Sequence, residues 1–299
     1  MNSRAQIRML PDGRRLHLHD GPIDLIVEAF GPAPAVESAY RAASDRFVTV
    51  LDELCGELSL LRQACIPGSQ WPRGSVARRM MAVVMPYATA HFITPMAAVA
   101  GAVAEEILAA MVSAAPLSRA YVNNGGDIAL HLGPNEKFVV GMVERPDRPS
   151  LLGTTTLPST DPVRGIATSG WRGRSFSLGI ADAVTVLSDR AAASDAAATI
   201  LANSVDLPGH PAVVRVPACE LAPDSDLGDR LVTQAVGDLT TAEVDHALQA
   251  GEREANVLLR LGLIRSAVLC LQGDTRVISG SGELLSRAIP VHERGLVHA

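Results

Sequence analysis

Aromatic residues are scarce: Phe, Trp and Tyr make up only 3% of the 299 residues, although 47% are hydrophobic. Ala, Val and Leu must therefore fill the core, and such small side chains let helices and sheets approach closely and leave room for a flat ligand. A basic excess is also missing. The net charge is −6 with a pI near 5.8, and arginines group only at Arg14-Arg15, Arg73 with Arg78-Arg79, and Arg172 with Arg174. That excludes an electrostatic footprint on nucleic acid. Cys55, Cys65, Cys219 and Cys270 form no C-x-x-C pair, so neither a zinc site nor a disulfide framework is indicated. The first ten residues, M-N-S-R-A-Q-I-R-M-L, lack the apolar stretch of a secretory signal. The most apolar run, Met96 to Val112, carries Glu105 and Glu106 and reads as too short and too Ala-rich to span a bilayer. The expectation is a soluble cytoplasmic protein with no nucleic-acid or membrane partner.

The length suffices for one large domain or two small ones. Gln6–Leu10, the turn Pro11-Asp12-Gly13 and the R-L-H-L-H alternation predict a hairpin, with a third strand over Asp24–Phe30. Apolar residues at three- and four-residue steps, from Val36 and Tyr40 to Leu58 and Leu61, predict one long helix over 35–64. A loop at Pro67–Gly74 follows. A second helix should start near Thr94-Pro95 and end before Pro116. Further strands are expected at 120–123, 128–132, 138–143, 183–187 and 212–216, with a loop over 144–164 and a polar connection over 217–230. An Ala-rich helix is expected over 191–202. Thr240-x-x-Glu243 has capping-box spacing and should open a helix to about Leu261, followed by a hairpin turning at Gly273-Asp274. Strands and helices mix without strict βαβ alternation, which predicts an α+β fold.

Three segments can carry chemistry. In Asn123-Asn124-Gly125-Gly126-Asp127, adjacent glycines permit positive φ, so backbone N–H groups can face an anion while Asp127 accepts from a ligand. A plain hairpin turn has the same pattern. Gly165–Gly170 is a small-residue loop in which Thr168 and Ser169 offer hydroxyls beside Gly170; a surface connection is the alternative. On a helix, Asp195 and Thr199 share one face, and their oxygens suit a hard cation such as Mg²⁺. Asp195 can equally complement a helix N-terminus. Asp182, just before the A-V-T-V-L strand, is a third carboxylate for the same cavity.

In order, Y-V-N-N-G-G-D-I, G-I-A-T-S-G, A-D-A-V-T-V and D-A-A-A-T resemble the ApbE-like superfamily, the relatives of FAD:protein FMN transferases. The Phe92–Glu106 segment and the N-N-G-G-D form resemble an uncharacterised side-branch of it. The resemblance covers about residues 35–205 and implies a single α+β domain over 1–299, of mixed sheets flanked by helices. It further implies FAD or FMN as ligand, Mg²⁺ at Asp195 and Thr199, and a ligand pocket at Asn123–Asp127 and Thr168–Gly170. An acceptor protein would be the partner. The chain departs from the transferase pattern in two segments: Ala100-Gly101 stands for a Lys-Gly pair, and F-S-L-G-I-A-D stands for H-I-x-D-P. Two readings therefore stand beside flavin transfer. One is a metabolic enzyme acting on another small molecule, with sulfur or homocysteine metabolism implied by relatives of the side-branch. The other is a non-catalytic flavin-binding accessory protein. A homodimer is compatible with the composition.

Overall fold

The computed structural model describes residues 4–143, 151–280 and 296–298. The chain opens with strands β1 (Gln6–Met9), β2 (Leu16–Asp20) and β3 (Ile23–Phe30), each antiparallel to the next. Asp12 sets the first turn by accepting from the backbone N–H groups of Arg14 and Arg15 at 2.9 and 3.0 Å, the local bonding for which Asp suits turns. In β2 the period of two places Leu16 and Leu18 in the core and leaves His17 and His19 half-exposed.

Helix α1 (Ala33–Gly56) buries Ala39, Ala43, Phe47, Val50 and Leu54 along one stripe. The continuous helix expected to residue 64 breaks at Gly56 and resumes as the short α2 (Leu58–Leu61). Glu57 sits at the break and accepts from the N–H groups of Arg73 and Gly74 at 2.6 and 2.8 Å. Helix α3 (Ser75–Val84) was not anticipated, although Val76, Met80 and Val84 are buried at four-residue spacing. After a 3-10 turn at Pro95–Ala98, helix α4 (Val99–Ala114) runs through the core. Together these two make 20 residues, with a mean hydropathy of 1.6 over the most apolar 18, long and apolar enough by composition to cross a membrane, contrary to the expectation that the run is too short. Here α4 packs against α1, α3, α5 (Ala191–Ser204) and two strands.

Strands β4 (Arg119–Asn124) and β5 (Asp127–Leu132) form a hairpin over Gly125-Gly126, followed by β6 (Lys137–Val143) and β7 (Leu151–Pro158). The loop expected over 144–164 is thus partly strand, and its residues 144–150 lie outside the described ones. Strand β8 (Gly165–Ser169) also replaces an expected loop, because β5 and β9 (Ala183–Ser188) hydrogen-bond it from both sides. Beyond α5, strands β10 (Val213–Pro217) and β11 (Leu231–Val236) pair across α6 (Ala218–Leu221). Helix α7 (Thr241–Arg260) then leads to the hairpin of β12 (Ser266–Leu271) and β13 (Asp274–Ser279). The capping box of α7 forms as its spacing predicts.

Among the described residues the main sheet has nine strands, all antiparallel, in the order β1-β2-β3-β4-β5-β8-β9-β12-β13. A separate sheet joins β6 and β7 to β14 (Leu296–His298). The fold is α+β, as expected. Helices α1, α3, α4, α5 and α7 share one buried cluster with the sheet. This stacking brings the start of α4 and the second turn of α5 to the sheet edge where β4 ends and β5 begins.

Candidate functional site

The glycines of the β4–β5 turn take φ of +67° and +115°, conformations that cost side-chain-bearing residues energy. Asn123 fixes this turn, its Oδ1 accepting from the Gly126 N–H at 2.8 Å. Asn124 is buried and ties the turn to α4, its Nδ2 donating to the Ala100 carbonyl at 3.1 Å. Asp127 leaves the turn half-buried and accepts from the Thr168 backbone N–H at the end of β8. The Thr168 hydroxyl lies 2.9 Å from that of Thr185. Ser169 is half-exposed beside it.

Asp195, on α5, meets the same place from the other side. Its Oδ2 accepts from the Gly101 N–H at 2.9 Å, and the Ala100 N–H also bonds the carboxylate. These are donors of the first turn of α4, which have no partner within their own helix. The exchange is mutual: Glu105 of α4 accepts from the Ala192 N–H, in the first turn of α5, at 2.8 Å. Each helix therefore caps the other. Contact this close requires Gly101, since a Cβ there would stand 2.4 Å from the Ala191 carbonyl oxygen.

Burial and the negative charge of Asp195 push the Asp127 carboxyl well above the usual range, against the Thr168 N–H and the Arg174 guanidinium. Burial pushes Asp195 up to about 7, despite its two backbone donors. Both acids are thus shifted toward their protonated forms. Thr199 lies one helical turn beyond Asp195 and is half-buried.

Asp182 is placed differently. Its carboxylate accepts from Trp171 Nε1 at 3.2 Å, from Arg172 Nε, and from the Gln272 backbone N–H at 2.6 Å. It ties the turn after β8 to the β12–β13 hairpin. Gly170 permits that turn, with φ of +148° and the Asp182 carbonyl 2.6 Å from where a Cβ would stand. The F-S-L-G-I-A-D segment is anchored to the end of α5, where Asn203 Oδ1 accepts from the Leu178 N–H at 2.9 Å and Gly179 would clash with Ala202 if it had a Cβ.

The structure thus gathers Asn124, Asp127, Thr168 and Asp195 with the first turn of α4. Sequence reasoning met Gly101 only as a departure from the transferase pattern and Glu105 only as a charge in an apolar run, and gave neither a place at this site; a glycine early in an apolar helix and a paired Glu105-Glu106 were the available signals. Among the described residues no cluster of three or more His, Cys, Asp and Glu side chains forms a metal cage. A cavity of ≈ 410 Å³ lined by Leu157, Leu187, Leu259, Ile264 and Arg265 shares no residue with this site.

Curated relatives include UPF0280 proteins. That of Methanococcoides burtonii is 42% identical over 122 residues, 40% of this chain and 49% of its own. That of Methanopyrus kandleri is 40% identical over 129 residues, 43% of this chain and 48% of its own. The chain spans about half the length of these curated relatives. Among solved structures, the apo form of Pseudomonas stutzeri flavinyl transferase ApbE aligns with 92% of this chain and 95% of its own. Sequence identity there is 11% and the TM-score 0.34, too loose for any residue correspondence. The family described as AbpE bacteria matches residues 7–277, which takes in every segment of this site, and the chain belongs to that family.

Proposed function

We propose that the site around Asp127 and Asp195 binds a flavin nucleotide together with Mg²⁺, and that the protein handles FAD, passing FMN to an acceptor protein. One observation carries the reading: two half-buried carboxylates from different elements converge on the first turn of α4, Asp195 through the Gly101 N–H and Asp127 from the turn that Asn124 ties to Ala100, and a divalent cation would relieve their repulsion. The donor set fits. Mg²⁺ is commonly held by one or two carboxylates, completed by water and substrate phosphate. Asp195 and Thr199 would hold it, with Asp127 alongside. The Asn123–Asp127 turn and Thr168–Gly170 would receive the nucleotide, and Asp182 would hold the rim turn in place.

Bound there, the cation supplies neutralisation of diphosphate charge as the phosphoryl centre is attacked. The chain's own part is to give up the protons that Asp127 and Asp195 favour, keep α4 and α5 at fixed separation, and present the Gly125–Gly126 backbone. A cytoplasmic location is part of the same proposal, supported by four free cysteines.

Calorimetric titration with FAD, with and without Mg²⁺, tests this beside Asp195→Ala. Mg²⁺-dependent binding that the variant loses is expected, with AMP released when an acceptor is present. Absence of FAD binding under every condition would remove flavin from the reading. Ala100 and the F-S-L-G-I-A-D segment favour a second reading, a different small-molecule enzyme on the same site. FAD ignored while another phosphorylated metabolite binds would select it. FAD bound but never cleaved would select an accessory protein.

A further inference from the structure

The turn after β8 carries two arginines, and the structure gives them different roles. Arg172 is committed: it bonds Asp182, and its guanidinium stacks 4.3 Å from the centre of the Trp171 ring. Arg174 is exposed and makes no hydrogen bond or ion pair with any described residue. Its guanidinium nonetheless lies over the β4–β5 turn. A Cβ on Gly125 would stand 2.5 Å from Arg174 Nη2 and 3.0 Å from Cζ, so the charged group occupies the space that the glycine leaves open. From there its positive charge reaches Asp127.

Two half-buried acids therefore adjoin an exposed guanidinium that no described residue bonds. A neutral ligand would leave the guanidinium without a counter-charge. An anionic group bridging a cation on the acids and the guanidinium satisfies both, and a phosphate presents the oxygens that a planar guanidinium fork engages in pairs. Resting on the reading of Asp127 and Asp195 as a ligand site, we propose that Arg174 is its anion-binding residue, seating a phosphate or diphosphate of the ligand over the Gly125–Gly126 turn. Gly125 is then needed twice, for its φ of +67° and for the room it gives Arg174.

The test titrates FAD, riboflavin and inorganic pyrophosphate, each with Mg²⁺, into the wild-type chain and into Arg174→Gln and Arg174→Lys. Arg174→Gln should weaken FAD and pyrophosphate roughly 10- to 100-fold, the worth of a hydrogen bond to a charged group. Riboflavin, which has no phosphate, should be unchanged, and Arg174→Lys should recover part of the loss. An unchanged FAD or pyrophosphate affinity in Arg174→Gln overturns the proposal. So does an equal loss for FAD and riboflavin, which would mark a structural role. Pyrophosphate binding that depends on Arg174, with neither flavin bound, would keep the anion site and discard flavin. Failure of the wild-type chain to bind either FAD or pyrophosphate overturns the anion site as well.

Discussion

Asp195 shows what a residue's surroundings add to its sequence. The D-A-A-A-T spacing makes its carboxylate legible as a ligand or a helix-end partner. The backbone donors it meets, Gly101 and Ala100, come from a helix more than ninety positions away in sequence and could not be read. Its carboxyl is raised from the ordinary 3.8 to about 7, so the folded chain holds a proton that the unfolded chain has released. That contribution to stability is fully present below pH 4 and is lost as pH rises to about 7. Without metal, the Tm should fall by roughly a few degrees between pH 5 and pH 8, and Asp195→Asn should flatten the fall in a melting series. Mg²⁺ affinity should run the other way and rise through the same window, because the cation needs the ionised acid. Gly101 gives a second test. Alanine is the better helix former by about 1 kcal/mol, yet Gly101→Ala must push against the Ala191 carbonyl at 2.4 Å. It should destabilise the fold by about 1–3 kcal/mol, measured by urea denaturation; a stabilised variant would show that α4 and α5 are not held this close.

Elements that carry their own start signals were legible, and those defined by their neighbours were not. Helix α7 opens with Thr240 accepting from the Glu243 N–H while Glu243 returns a bond to the Thr240 N–H. Thr240→Ala should cost about 1 kcal/mol, seen as a lowered denaturation midpoint with unchanged slope. Helix α3 starts at Gly74 with no side-chain cap, straight after a Pro- and Gly-rich loop that hides its beginning. Strands β7 and β8 are L-L-G-T-T-T-L-P and G-I-A-T-S, too poor in large apolar residues to announce themselves. Strand β8 exists because β5 and β9 flank it. Helices α4 and α5 likewise lack caps from their own N-cap residues; each takes one from the other. Glu105→Ala should therefore loosen α5, where Asp195 sits, and weaken Mg²⁺-dependent binding although Glu105 itself is outside the proposed ligand set. A titration with unchanged affinity would separate the cap from the site.

At the scale of the molecule, one buried cluster runs from β2 to β13 through every long helix. Calorimetry should show a single main unfolding transition over the described parts, and two well-separated transitions would contradict the single-domain reading. Hydrogen exchange should be slowest in β9 and β12, buried along their whole length, and fast in β1, exposed along all of its own. The order of the central sheet also has a consequence for synthesis. Strand β9 is bonded to β8, which precedes it, and to β12, which follows only after α5, the β10–β11 ribbon and α7. On the ribosome, the acids of the site and the helices that hold them emerge long before β12. A chain stalled after α5 would display the bare edge of a strand that is buried along its whole length in the folded protein, the kind of surface that recruits other chains. Closure of that long loop should then be the slow step in maturation. Asp182, bonded across it to Gln272, records that the loop has closed.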